Sequence, residues 1–214
     1  MEYKTVTYDT ICEEDFDGAK IKVVIFDFDY TLYQGLEWGD GWIEYVHSGL
    51  RRMLSFLTAD EYERLCKKYN IKSDRIFENV CKMLKNENLP CTIKEFRDFT
   101  QTFRFETDYK KARLFPHDLL EKLKKKYALY VVSSTAESKI RFDCEKMNFD
   151  LSPFKGIYQN RFDENDLSKA LDYIMVAEKE KVKNSEVMVV GDSIQYDLEP
   201  AKRLGMNTLL MLNG

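Results

Sequence analysis

Histidine is nearly absent from this 214-residue chain, with two in all, and glycine and proline are scarce at nine and four. Five cysteines (Cys12, Cys66, Cys81, Cys91 and Cys144) are odd in number, widely spaced and free of any C-x-x-C pair. That pattern excludes a zinc cage and a disulfide framework and leaves reduced, mostly buried thiols. Low glycine and proline beside 44% hydrophobic and 33% charged residues exclude a disordered chain. Positive charge is not in excess either: the formal net charge is -4, so broad electrostatic binding to nucleic acid or an anionic membrane is not expected. No apolar run is long enough to span a bilayer, and Met1 to Lys20 is polar and acidic where a signal peptide would be apolar. The expectation is a soluble, cytoplasmic protein without repeats or long linkers.

The length suits one core plus a smaller insert. Ile21 to Phe26 is short, β-branched and apolar almost throughout, as in a strand covered on both faces of a parallel sheet, and Tyr127 to Val132, Val187 to Val190 and Thr208 to Leu212 resemble it. Helical stripes alternate with these runs. Leu119, Leu120 and Leu123 form one, Ile140, Cys144 and Met147 a second, and Leu167, Leu171, Ile174 and Met175 a third. The Lys124-Lys125-Lys126 run sits where cations complement a helix C-terminus. Strands alternating with helices predict an α/β fold with a doubly wound parallel sheet, and Met1 to Ile11 as an additional edge element.

Strand-like runs vanish between Tyr33 and Ala112. Trp42, Tyr45, Val46, Gly49, Leu50, Met53, Leu54 and Leu57 follow one helix face, and Thr58 with Glu61 and Thr92 with Glu95 fit capping boxes. The domain reading is an α/β core from 1–33 and 113–214 interrupted by a module of at least four helices at 34–112.

The chemistry-bearing residues fall at strand ends. The first strand runs into Asp27-Phe28-Asp29-Tyr30-Thr31, whose two acids face the same way if the chain stays extended. The second ends in Ser133-Ser134, and Ser134 with Glu137 fits a further capping box beside free helix amides suited to a phosphate oxygen. The third ends in Gly191-Asp192 with Asp197 close behind, and Gly191 is expected to permit a tight turn. Open α/β sheets bind ligands outside the carboxyl ends of their strands, so four carboxylates are expected in one crevice. Such a cluster repels itself unless a cation offsets it, and oxygen-only ligands favour Mg²⁺ over Zn²⁺ or Ca²⁺. Lys169, at the start of a helix upstream of the third strand, is placed to balance a phosphate and a nucleophile. An isolated Asp-x-Asp is more often a solvated strand end, and a single lysine among 33 basic residues more often a surface group. The weight lies in the set.

In that set the chain resembles the haloacid dehalogenase superfamily, specifically its phosphatase branch, from Lys20 to Leu212. Asp27-x-Asp29-x-Thr31 resembles the first motif, which implies that Asp27 forms an aspartyl-phosphate and Asp29 serves as acid and base. The resemblance further implies phosphate binding by Thr31, Ser133, Ser134 and Lys169, and a metal site drawn from Asp27, Asp29, Asp192 and Asp197. Lys169 lacks the Lys-Pro context common in the family. The helices after the first motif resemble a type 1 cap, and Trp38, Trp42, Tyr45 and His47 are candidates to line an entrance. Gly35, Gly39 and Gly41 are read as a mobile flap or as plain turns.

The implied activity is Mg²⁺-dependent hydrolysis of a small phosphorylated metabolite such as a nucleotide or sugar phosphate. Family dehalogenases lack the second Asp, so Asp29 argues against that branch. A phosphomutase using the same residues, a non-catalytic phosphate-binding regulatory protein and a signalling receiver domain are the rivals; the helical insert counts against the last. The sequence carries no signal of oligomeric state.

Overall fold

The computed structural model describes residues 2–17, 20–36, 39–71, 76–102, 108–160 and 169–213. Its strands are β1 (Thr5–Val6), β2 (Val23–Phe26), β3 (Tyr33–Gln34), β4 (Arg113–Leu114), β5 (Ala128–Ser133), β6 (Gly156–Gln159), β7 (Val187–Gly191) and β8 (Asn207–Met211). Its helices are α1 (Gly39–Met53), α2 (Ala59–Lys68), α3 (Ile76–Asn86), α4 (Ile93–Thr100), α5 (His117–Leu123), α6 (Glu137–Met147), α7 (Ala170–Glu180) and α8 (Glu199–Arg203). Six strands form one sheet in the order β1-β8-β7-β2-β5-β6, and every neighbouring pair is parallel. The fold is the expected α/β class with helices on both faces of a Rossmann-like sheet. Each of the four apolar runs supplies a strand, and the N-terminal segment adds edge strand β1.

β2 shows why an uninterrupted apolar run reads as a central strand. All four of its residues are buried, and the two-residue period divides them between the faces. Val23 and Ile25 join Tyr173 and Val176 of α7, Leu198, and Ala201 of α8 in one core. Phe26 points the other way, with ring centroids 5.3 Å from Phe115, 5.9 Å from Phe154 and 6.2 Å from Phe16. Truncating so buried an aromatic to alanine costs about 3–5 kcal/mol.

Helices α5 and α6 bury the faces read from the sequence, Leu119, Leu120 and Leu123 on one and Ile140, Cys144 and Met147 on the other. In α7 the expected stripe is corrected. Leu171 and Met175 are 65% and 41% exposed, while Asp172, Tyr173, Val176 and Ala177 form the buried face. Tyr173 supplies the apolar bulk that the aliphatic pattern assigned to its neighbours; Leu167 lies outside the described residues. Strand β6 had no apolar run to announce it, because Gly-Ile-Tyr-Gln at the sheet edge is only half-buried.

The chain divides into two compact units, 1–36 with 108–214 and 37–107. Antiparallel pairing of β3 with β4, Tyr33 to Leu114 and Gln34 to Arg113, keeps both ends of the insertion within the first unit. Within the second, α1 to α4 pack around Val46, Leu50, Leu54, Ile71, Val80, Met83 and Phe96. Both capping boxes form there: the Thr58 and Thr92 hydroxyls accept from the Glu61 and Glu95 amides, whose carboxylates accept from the Thr58 and Thr92 amides. Gly39 and Gly41 belong to α1, so they are not plain turns, whereas Gly35, at φ +78°, holds a left-handed turn. Tyr45 stacks on Phe99 at 4.5 Å and His47 hydrogen-bonds Tyr62 at 3.2 Å, so both are engaged inside this unit; Trp38 lies outside the described residues.

Four of the five cysteines are buried and none is bridged. Among the described residues, no helix is long and apolar enough to cross a membrane.

Candidate active site

Sheet order fixes where the polar residues converge. β2 lies between β5 and β7, with Phe26 opposite Val131 on one side and Val190 on the other. The chain turns to opposite sides of β2, towards β6 and towards β8, which makes its carboxyl end a topological switch point. Asp27 follows β2, Ser133 ends β5 and Asp192 follows β7.

The Asp27 amide donates to the Val190 carbonyl at 2.9 Å, extending the ladder by one residue. Lys169, at the N-terminus of α7, is 3% exposed, and its ammonium donates to Oδ1 of Asp27 and Oδ1 of Asp197, each at 2.5 Å. Asp27, Asp192 and Asp197 present oxygens that all lie within 4.8 Å of one another. Burial raises the Asp27 carboxyl well above its ordinary range; Lys169 opposes the shift, and the charges of Asp197, Asp192 and Asp29 add to it. Asp192 is pushed up to about 7, first by burial and then by Asp197. Burial works against the charge of Lys169, yet Asp197 and Asp27 hold its proton well above the ordinary lysine range. A trio of mutually repelling carboxylate oxygens fits a hard divalent cation of the Mg²⁺ class.

Asp197 reaches the trio through a wide π-helical turn over Ile194–Leu198. The Ser193 hydroxyl accepts from the Tyr196 amide at 3.2 Å and caps that turn, while the Ser193 amide donates to Asp197 Oδ2 at 3.0 Å. Gly191 is needed for closeness and not for the tight turn expected of it: a Cβ there would lie 2.5 Å from both Cβ and Oδ2 of Asp197.

Asp29 stands apart from the trio. The ladder that ends with the Asp27 amide does not carry on to Asp29, because the chain turns there: Leu32 donates back to the Phe28 carbonyl at 2.9 Å and Tyr30 adopts φ +58°. Asp29 instead accepts from the Tyr33 hydroxyl at 2.5 Å and the Thr135 hydroxyl at 2.6 Å. Thr31 is fully buried; its carbonyl accepts from the Tyr8 hydroxyl at 2.8 Å, and its Oγ1 has no hydrogen-bond partner among the described residues. Ser133 is buried, and its hydroxyl accepts from the Thr135 amide at 3.0 Å. The capping box expected at Ser134 does not form: α6 begins at Glu137 behind Ala136, with no side-chain cap. After β5 the Thr135 hydroxyl serves Asp29, and the Ser133 hydroxyl serves the Thr135 amide. Ser134 sits half-buried between them.

A family model for haloacid dehalogenase-like hydrolases matches residues 24–211, nearly the whole chain. The chain belongs to this family. No functionally curated protein matches the sequence. Among solved structures, a haloacid dehalogenase-like family hydrolase from Streptococcus pneumoniae is similar at 18% identity and a TM-score of 0.56, covering 90% of this chain and 85% of its own. A predicted phosphoglycolate phosphatase from Haemophilus somnus is similar at 16% identity and a TM-score of 0.52, covering 92% and 87%. A haloacid dehalogenase family enzyme from Bacteroides thetaiotaomicron aligns at 17% identity and a TM-score of 0.51, covering 92% and 96%. At these identities the likeness is one of fold.

Two polar residues of this haloacid dehalogenase-like hydrolase escaped the sequence reading. Tyr33, four residues after Asp29, was given no role in the site, and it is 1% exposed as a core tyrosine would be. Burial, then the Asp29 charge, raise its hydroxyl well above the ordinary tyrosine range and keep it a donor. Thr135 follows the paired serines that drew attention in its place. The i+4 spacing of Tyr33 from an acid was the one available signal.

Proposed function

We propose that this hydrolase is a Mg²⁺-dependent phosphatase acting on a small phosphate monoester, with Asp27 as nucleophile and Asp29 as acid and base. The reading rests on one observation above the rest: a buried lysine held 2.5 Å from both Asp27 and Asp197, inside a carboxylate trio within 4.8 Å. Such an arrangement can hold a cation and the negative oxygens of a phosphoryl group side by side. Asp27, Asp192 and Asp197 would hold Mg²⁺, which when bound neutralises charge developing on the phosphoryl oxygens.

In the first step an Asp27 oxygen bonds to phosphorus, and the bond from phosphorus to the ester oxygen breaks. That oxygen takes the electron pair and a proton from Asp29, and the alcohol leaves. In the second, Asp29 removes a proton from water as the water oxygen bonds to phosphorus. The bond to Asp27 breaks, its carboxylate is restored and phosphate departs. Lys169 holds Asp27 in place and offsets its charge; Ser133, Ser134 and Thr31 complete the phosphate-binding set. The helices of 34–112 are assigned the selection of substrate, as a cap.

A screen of nucleotides, sugar phosphates and phospho-amino acids, with and without Mg²⁺ and read as released phosphate, tests the activity. Asp27→Asn is expected to abolish turnover with the fold intact, and Asp29→Asn to permit slow phosphorylation with little release. Equal phosphatase activity of wild type and Asp27→Asn refutes the assignment, and rearranged sugar phosphates without phosphate release would identify a phosphomutase.

A further inference from the structure

We infer that Tyr33 and Thr135 are positioning residues, which fix the carboxyl of Asp29 so that it can pass a proton to the leaving oxygen and take one from water. The inference rests on the phosphatase reading and deepens it. Nothing in the Asp-x-Asp spacing aims Asp29, because the strand has ended before it. Three features do. Tyr30 turns the backbone through φ +58°, an uncommon conformation for a residue with a side chain. Tyr33 donates to Oδ1 at 2.5 Å from the first strand of the β3–β4 ribbon, and its ring is held edge-on to Phe28 at 5.0 Å. Thr135 donates to Oδ2 at 2.6 Å from the loop after β5, where its own amide is tied to Ser133.

With one donor on each oxygen from two separate segments, the carboxyl plane can neither rotate about its Cβ–Cγ bond nor tilt without losing a charge-assisted hydrogen bond. Proton transfer needs this fixity, because small errors in placing a catalytic group cost rate steeply. Both hydroxyls remain donors whether Asp29 carries its proton or not, since a neutral carboxyl keeps acceptor capacity on both oxygens.

The test compares kcat/KM for 4-nitrophenyl phosphate and phenyl phosphate in the presence of Mg²⁺. These substrates are alike in shape, but the phenolate leaving from the second is more basic and depends more on a proton from Asp29. Because kcat/KM covers events through departure of the phenol, it isolates the acid role. Tyr33→Phe and Thr135→Val are expected to lose roughly 10- to 100-fold on phenyl phosphate and no more than about 3-fold on 4-nitrophenyl phosphate. Thr135→Ser, which restores a hydroxyl, is expected to recover most of the loss. Equal losses on the two substrates, or no loss in either variant, overturn the inference. Wild type inactive on both esters would instead overturn the phosphatase reading beneath it.

Discussion

Lys169→Met removes a buried cation while keeping an unbranched side chain of similar reach, and its effect follows from the surroundings. The lysine side chain is 3% exposed, and its carboxylate partners Asp27 and Asp197 are 10% and 1% exposed, so solvent screens neither contact. Breaking a buried pair from one side costs about 3–5 kcal/mol, because the abandoned charge stays buried. Here two charges are abandoned, with Asp192 nearby, so the upper part of that range is expected at pH 8 without metal. The acids can escape the penalty only by taking up protons. In the variant Asp27 and Asp192, both already raised by burial, lose the cation that opposes the shift, so the native state binds more protons than the unfolded chain and stability is lost as pH rises through that window. In wild type Lys169 is itself raised, so its contribution is present throughout neutral pH. The gap between the two proteins should therefore be widest near pH 8 and narrow towards pH 5. Urea unfolding in chelator at both pH values measures it directly. Mg²⁺ at 100 times its dissociation constant should return about 2.7 kcal/mol to the variant. A loss below about 0.5 kcal/mol at pH 8, the size of an ordinary surface substitution, or a larger loss at pH 5, would show that the ammonium does not hold these acids together.

Gly191→Ala places a methyl group 2.5 Å from Asp197 Cβ and Oδ2, so Asp197 must retreat from Lys169 and Ser193. A cost of about 1–3 kcal/mol, with weaker Mg²⁺ binding by calorimetry, is expected; unchanged binding would separate Asp197 from the cation site. With Asp192 pushed up to about 7 before a cation binds, Mg²⁺ must displace a proton below that pH and its affinity should fall as pH drops from 8 to 6. Titrations in two buffers of different ionisation enthalpy read the proton released, and none at pH 6.5 would contradict the shift. Thr92→Ala removes the hydroxyl of the α4 capping box and should lower stability by about 1 kcal/mol in thermal melts without altering phosphate release.

What the sequence disclosed is governed by the range of the interaction involved. β2, β5, β7 and β8 were legible because central parallel strands bury both faces and so read as unbroken apolar runs. The boxes at Thr58 and Thr92 were legible because a cap is settled within four residues. Ser134 and Glu137 offer the same spacing yet form no box, since α6 begins only at Glu137 with Ala136 in the cap position. The face of α7 was misread because an aliphatic stripe outweighed Tyr173, whose burial is decided by β2 and β5 and not by its neighbours in sequence. Among the site residues, Asp27, Lys169, Asp192 and Asp197 were named by type and order, and the structure brings them together. Two supporting features were beyond sequence reasoning: Tyr33 reaches Asp29 only through the turn between them, and the reason for Gly191 is a contact with a residue six positions on.

On the proposed phosphatase reading, the separation of Asp27 from Asp29 matters because two identical side chains, two residues apart, must do opposite things at one pH: one must stay unprotonated to attack, the other must carry a proton and give it up. Identical surroundings would make them compete for the same charge state. A fourth negative group in the carboxylate cluster would add repulsion without adding an acid. The turn from Phe28 to Leu32 prevents this by handing Asp27 to an ammonium and two acids and Asp29 to two hydroxyls. The left-handed Tyr30 is the local cost of that division. The short motif is thus better understood as a strand end and a turn in succession, each half delivering one acid to a different environment.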